Sequence, residues 1–415
     1  MTHSRPPRPW WLPPRQPTEA HVGRSVSFLE LFYDLVYVVL VAELAHTLAL
    51  HPTVPDTLKF IFLFTVAWWA WFNGTAYHDL HGNNDLRTRI FVFMQMFAVG
   101  GMATFAHNAI GDGSTGYGLS YAAFQGILAY LWWRTGVYDQ AHSVLSNAYA
   151  LTFLLSGALF ALSVLLPEPL RYWLWGAGLL ISLILPGLQF SRRQKAVQTQ
   201  VEALLHTSPA LVERFGLIMI LVLAEVIAGA VRGVSAADTV TPGMLGLGFL
   251  GMLLAALLWW LYFDFVSHRP PRPERGAVLI YFTASLLGTM AATATGALVL
   301  TTITQASTAP DHAVTPLLSI FVGVLVLSTA AAMWSLNVQE KLRPAYQRAS
   351  QWTLLAAGVI FLTTALHVPA ASLLIILLLI VAVPISYGIH LWINVFGAVD
   401  MHTHRALDEA EQRHG

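Results

Sequence analysis

Windows of about 18 to 24 largely uncharged residues recur twelve times along this chain, each long enough to cross roughly 30 Å of hydrocarbon as a helix. They cover residues 28–50, 57–77, 89–108, 118–138, 147–166, 171–190, 213–232, 243–266, 277–301, 316–336, 351–368 and 371–394. A soluble core cannot hide that much apolar surface: 56% of the 415 residues are hydrophobic and 11% are charged. The segments lack the short alternation of a membrane barrel and are about twice its strand length. The expected fold is an all-α polytopic membrane protein with about twelve transmembrane helices.

The net charge is zero, so the total selects no acidic or basic partner and gives no sign of nucleic-acid binding. Its distribution is informative. With the N-terminus inside, 19 of the 22 Lys and Arg fall in cytoplasmic segments, and Lys59, Arg171 and Arg232 lie on the other side. That asymmetry predicts an even number of spans with both ends in the cytoplasm. Residues 1–24 carry Arg and Pro but no apolar core before the first span, so they read as a cytoplasmic tail rather than a cleaved signal peptide. Residues 397–415 form the second tail. The absence of cysteine removes disulfides, thiolate nucleophiles and Cys-bound metals.

The chain shows internal similarity. "VAEL" at 41–44 answers "LAEV" at 223–226, "WWAWFN" at 68–73 answers "WWLYFD" at 259–264, and "GGMATFA" at 100–106 answers "GTMAATA" at 288–294. The offsets are 182, 191 and 188 residues, in preserved order. This argues for duplication of a six-helix unit, with repeats at 25–190 and 212–396 joined by a hydrophilic linker at 191–211. Six spans per copy make the repeats parallel, related by an axis along the membrane normal. Spans four to six show no convincing match to ten to twelve.

Three strings carry a family resemblance. "ELFYDLVYVV" at 30–39, "ERFGLIMILVLAE" at 213–225 and "WWLYFD" at 259–264 resemble the signatures of the bacterial low temperature requirement protein A family. The resemblance implies a multi-pass protein of the bacterial cytoplasmic (inner) membrane, and supplies architecture rather than mechanism. The family commonly has Gly before the seventh-span Glu where this chain has Ala224, which implies a different helix contact there.

Acids inside spans are the residues most in need of a reason, because a charged carboxylate near the bilayer centre costs a few kcal/mol or more. Glu30 and Asp34 share a face near the cytoplasmic end of the first span, where Arg24, Arg87 or Arg89 could anchor them. Glu213 with Arg214 reads as a similar interfacial anchor. Glu43 lies roughly 13 Å further along on the opposite face. Glu43 and its repeat counterpart Glu225 are candidates for a proton or cation site between the halves; the competing reading is protonated, hydrogen-bonded glue between helices. Asn73 and Asp264 are repeat-equivalent polar ends of the WW motifs, with interhelical hydrogen bonding as the alternative role. His46, one turn after Glu43, and His107 suit proton transfer. Trp68, Trp71, Trp259 and Trp260 could line a cation pathway or serve packing.

"HDLH" at 78–81 and "HTH" at 402–404 each lack a convincing further ligand, so no metal site is expected. "GDGSTG" at 111–116 and "GLGFLG" at 246–251 fit a dinucleotide pattern without its strand context. The first reads as an outer loop, the second as small residues permitting close helix packing. No nucleotide-binding loop, zinc-protease or nucleophile-elbow motif occurs, so neither an enzyme nor a cofactor is expected. The functional expectation is a proton- or ion-coupled secondary transporter for a small solute, with acids between its repeats. One alternative is an ion channel, since Phe32-Tyr33-Asp34 faintly resembles the first-helix motif of the endolysosomal potassium channels. Another is a non-transporting protein of cold adaptation or lipid organisation.

Overall fold

The computed structural model describes residues 12–15, 26–83, 85–140, 143–192, 207–237, 239–267, 269–305, 314–391 and 393. Most of the two tails and of the linker lies outside the described residues, as does the histidine pair at 402–404. Among the described residues there are twelve α-helices: α1 (Phe28–Leu50), α2 (Val54–His81), α3 (Leu86–Ala106), α4 (Ser114–Tyr138), α5 (Ser143–Ser163), α6 (Leu170–Arg192), α7 (Pro209–Ser235), α8 (Pro242–Phe265), α9 (Arg275–Thr304), α10 (Val314–Ser335), α11 (Arg343–Leu362) and α12 (Ala370–Leu391). By length and composition, α3, α5, α7, α8, α9, α10 and α12 are able to cross a membrane.

The helices start where the sequence offers an oxygen acceptor. Ser27 and Glu30 form a reciprocal capping box at α1, and Thr53, Asp85, Ser208 and Thr241 each accept a first-turn amide of α2, α3, α7 and α8. Proline in the first turn of α2, α7 and α8 gives up an amide that no carbonyl would have satisfied. Hydropathy misplaces one element: α11 begins at Arg343 rather than 351 and ends at Leu362, before a 3₁₀ turn at Thr363–Ala365. Its first two turns, "RPAYQRAS", are helical but polar, so an apolar window misses them.

Apolar side chains cover the outside as well as the core, and several polar ones lie between helices. Phe28, Phe97, Leu154, Trp173, Phe249 and Leu279 point outward, while Gln95, Gln125, Ser156, Thr289, Thr293 and Thr295 are buried. Buried hydroxyls return their protons to carbonyls of their own helix, as Thr152 does to Ala148, Thr293 to Thr289 and Thr295 to Ala291. That satisfies them where lipid offers no partner.

Neighbour relations recur. α1 packs on α2 and α3, α2 on α4, and α3 through α6 pack in succession; six helices later, α7 packs on α8 and α9, α8 on α10, and α9 through α12 pack in succession. The two sets meet where α1 and α2 both contact α7 and α9. The tightest crossing is between α7 and α9. A Cβ on Gly229 would sit 2.3 Å from the Gly296 carbonyl oxygen, and one on Gly296 would sit 2.7 Å from the backbone of Glu225. Ala224, where the family commonly has Gly, is exposed rather than part of that crossing. Gly248 and Gly251 of "GLGFLG" fit closely beneath Val234 and Val299, in keeping with a packing role.

Candidate functional site

The capping box that starts α1 also fixes its first acid. Glu30 Oε2 accepts from the Ser27 amide at 2.9 Å and its hydroxyl at 2.8 Å. One turn later Asp34 points to the same side, its carboxylate fully buried. Opposite stands Arg214, in the second turn of α7, its side chain 2% exposed. Arg214 Nε donates to Asp34 Oδ2 at 3.2 Å, and Nη2 donates to Asp34 Oδ1 in a bidentate pair. Arg214 Nη1 comes within 3.9 Å of Glu30 Oε1, so one guanidinium serves two carboxylates. Trp71 of α2 adds a third donor, Nε1 to Asp34 Oδ1 at 2.7 Å.

Aromatic rings wall off this cluster. The guanidinium carbon lies 5.5 Å from the centroid of the Tyr33 ring, and Tyr33 and Tyr37 hydroxyls are 3.4 Å apart. Trp71 and Phe215 meet at 5.5 Å, Phe215 stacks on Phe282 at 5.5 Å, and Phe282 meets Phe72 at 4.9 Å. Rings from α2, α7 and α9 thus exclude water beside the ion pair, which strengthens each hydrogen bond and raises the cost of breaking one.

From sequence, Arg24, Arg87 or Arg89 could anchor these acids, and Arg214 groups with Glu213 at the membrane interface; Arg24 lies outside the described residues. The structure instead buries Arg214 against Asp34, with Glu213 beside it only half-buried. Arg87 donates to the Leu12 carbonyl at 3.1 Å. The signal was available: Arg214 is an isolated cation at the start of an apolar run, at a depth matching Asp34, and such a charge needs a partner.

Glu225 is buried on α7 with Arg232 at 3.5 Å. Glu43 is half-buried on α1, and His46 is exposed. The tryptophans of the two WW motifs differ in burial. Trp68 and Trp71 are buried, whereas Trp259 and Trp260 are 46% and 40% exposed. Asn73 donates to the Trp69 carbonyl at 2.7 Å, and Asp264 accepts from Trp260 Nε1 at 2.7 Å. Trp71→Phe, which removes a buried charge-assisted donor, is expected to cost about 1.5–3 kcal/mol. Trp259→Phe and Trp260→Phe are expected to cost under about 1 kcal/mol each. Thermal unfolding of the purified protein in detergent separates the two outcomes.

The residues of "HDLH" bind protein groups. His78 Nε2 meets Gln95 Oε1 at 2.8 Å, Asp79 Oδ1 accepts from Ser208 Oγ at 2.8 Å, and His81 Nδ1 meets the Arg15 carbonyl at 2.9 Å. Among the described residues no three His, Asp or Glu converge as metal ligands. Residues 12–15 strap this end. Leu12 N donates to Asp85 at 3.1 Å, the Leu12 carbonyl accepts from Arg87 and Arg134, and Arg15 Nη2 donates to the Asp79 carbonyl at 2.5 Å. Burial pushes the Asp85 carboxyl up, but the Thr88 and Leu12 hydrogen bonds and nearby Arg87 together hold it below the usual range. The strap is therefore anchored by a charged group at neutral pH.

The apolar exterior, the long apolar helices and the charged cluster buried between them define a multi-pass helical membrane protein. Residues 25–385 match the family of bacterial low temperature requirement A proteins (LtrA), and the chain belongs to that family. It is also similar, at 26% identity over 245 residues, to an uncharacterized protein of Rhizobium meliloti (strain 1021), a match that spans 58% of this chain and 58% of that protein.

Proposed function

We propose that the protein is a proton- or ion-coupled secondary transporter of the bacterial inner membrane, with all twelve helices crossing the bilayer, both termini in the cytoplasm and two parallel six-helix repeats. The observation that carries this reading is the Asp34–Arg214 pair, which joins the first helix of one six-helix set to the first helix of the other. A carrier needs a bond between its moving halves that a proton or ion can make and break, and a buried carboxylate–guanidinium pair is such a bond. Helix lengths of 20 to 30 residues suffice for crossing. The recurrence of neighbours six helices apart supports duplication.

Protonation of Asp34 would release Arg214 and loosen the inner end of the seam. Glu43 and Glu225 lie roughly 14 and 17 Å further along α1 and α7, in position to serve as deeper proton stops. The proposed activity is movement of a small solute, not covalent chemistry. Purified protein in proteoliposomes, given imposed pH, Na⁺ and K⁺ gradients, tests it. Coupled proton or cation movement in the wild type that is lost in Glu225→Gln or Glu43→Gln is the expected result. Absence of movement under every gradient would refute ion coupling.

A further inference from the structure

A cleft of roughly 430 Å³ opens at the ends of α10 and α11, away from the charged seam. Its polar wall is formed by Arg272, Asn337, Arg343, Gln347, Ser350 and Gln351, and among the described residues no acid lines it. On the membrane side stand Trp334, 58% exposed, and Leu354, 52% exposed. The arrangement is amphipathic in one direction: cations and amides at the end of the bundle, an indole at the boundary, and bare apolar helix beyond it.

The cleft is built before any ligand arrives. Pro271 and Leu336 form an antiparallel bridge, flanked by Arg272 N to the Ser335 carbonyl at 2.9 Å and Asn337 N to the Pro270 carbonyl at 2.9 Å. The two loops are thereby fastened together and hold Arg272 in place. Its guanidinium carbon lies 4.9 Å from the Trp334 ring centroid and Nη2 donates to the Trp334 carbonyl at 3.3 Å, while its Nε has no partner among the described residues. Arg272 is half-buried and lines the cleft, so its guanidinium has donors to offer an acceptor from outside. Arg343 is exposed and lines the same cleft.

We propose that this cleft binds the phosphate of an anionic phospholipid, with the headgroup between Arg272 and Arg343 and an acyl chain lying along the outer face of α11, where Trp352, Leu355 and Val359 are exposed. Two arginines recognise a phosphodiester by charge and by paired donors. A tryptophan at the headgroup level and apolar side chains beyond it fit a lipid better than a soluble ester. On the orientation proposed above, the lipid comes from the inner leaflet, but binding itself does not depend on transport.

Native mass spectrometry of the full chain in detergent, titrated with phosphatidylglycerol or phosphatidylcholine, tests this. Wild type is expected to retain phosphatidylglycerol preferentially. Arg343→Gln is expected to weaken that binding about fivefold and Arg272→Gln/Arg343→Gln about 25-fold, with phosphatidylcholine unchanged. Arg343 is exposed, so its variant keeps the test open if the double variant fails to fold. Equal retention of the two lipids, or an undiminished preference in folded Arg343→Gln, overturns the proposal. Glycerophosphoglycerol, the same headgroup without chains, distinguishes the source. Competition at the lipid's own concentration would overturn the lipid assignment in favour of a soluble phosphate ester.

Discussion

Arg214→Leu is expected to destabilise the protein by about 3–5 kcal/mol, because it strands the buried Asp34 carboxylate with only the Trp71 indole as donor. The loss shows as a large drop in the unfolding temperature in detergent, or as failure to purify a monodisperse protein. The effect is asymmetric. Asp34→Asn/Arg214→Leu removes both charges and leaves an amide that still accepts from Trp71, so it is expected to recover a substantial part of the loss, since a neutral buried pair has far less desolvation to offset. Non-additivity of this kind is the signature of a direct buried interaction. If the double variant were as unstable as the sum of the two single ones, the pair would not be the contact described.

Gly296→Leu is expected to be comparably damaging for a different reason. The new side chain would start 2.7 Å from the Glu225 carbonyl and backbone, and backbone atoms of a packed helix cannot rotate away as a side chain can. Separating α7 from α9 costs the packing of one of the most extensive helix contacts, about 3 kcal/mol at the upper end of what overpacked cores show. It also shifts α7, which carries Arg214, relative to Asp34. Gly296→Leu is therefore expected to lower stability and to weaken the ion pair together. By contrast Gly276→Leu, with open space around its Cβ, is expected to be nearly neutral. Unfolding temperatures of the two variants decide between a steric cause and a general intolerance of leucine in α9.

Much of the fold was legible because lipid imposes a simple rule. Apolar length marks a helix, and eleven of the twelve helices begin within about four residues of the expected span. α11 escaped because its first turns are polar, and hydropathy registers burial in lipid rather than helical backbone. The site was less legible. The acids Glu30 and Asp34 stood out at once, yet their partner lies 180 residues away from Asp34, and a pairing across two helix sets leaves no local spacing. Internal similarity also overstated equivalence. Trp68 and Trp259 open matching motifs, but Trp68 is buried beside Phe215 of α7 and Trp259 is 46% exposed, because the two helix sets meet through α1, α2, α7 and α9 and leave α8 on the periphery of that contact. Similarity between two motifs does not set their burial, which depends on what the other helix set covers.

The absence of cysteine makes a decisive measurement straightforward, since any introduced thiol is unique. The end of the seam away from the Asp34–Arg214 pair is marked by Thr301, whose hydroxyl donates to the Ala49 carbonyl at 2.8 Å, joining α9 to α1. In proteoliposomes, Ala49→Cys/Thr301→Cys should be bridged with a short thiol-reactive linker and ion-driven flux compared before bridging, after bridging, and after cleavage of the linker. If the halves move against each other to carry solute, flux is lost on bridging and regained on cleavage. Full flux through completely bridged protein would contradict a carrier built on this seam.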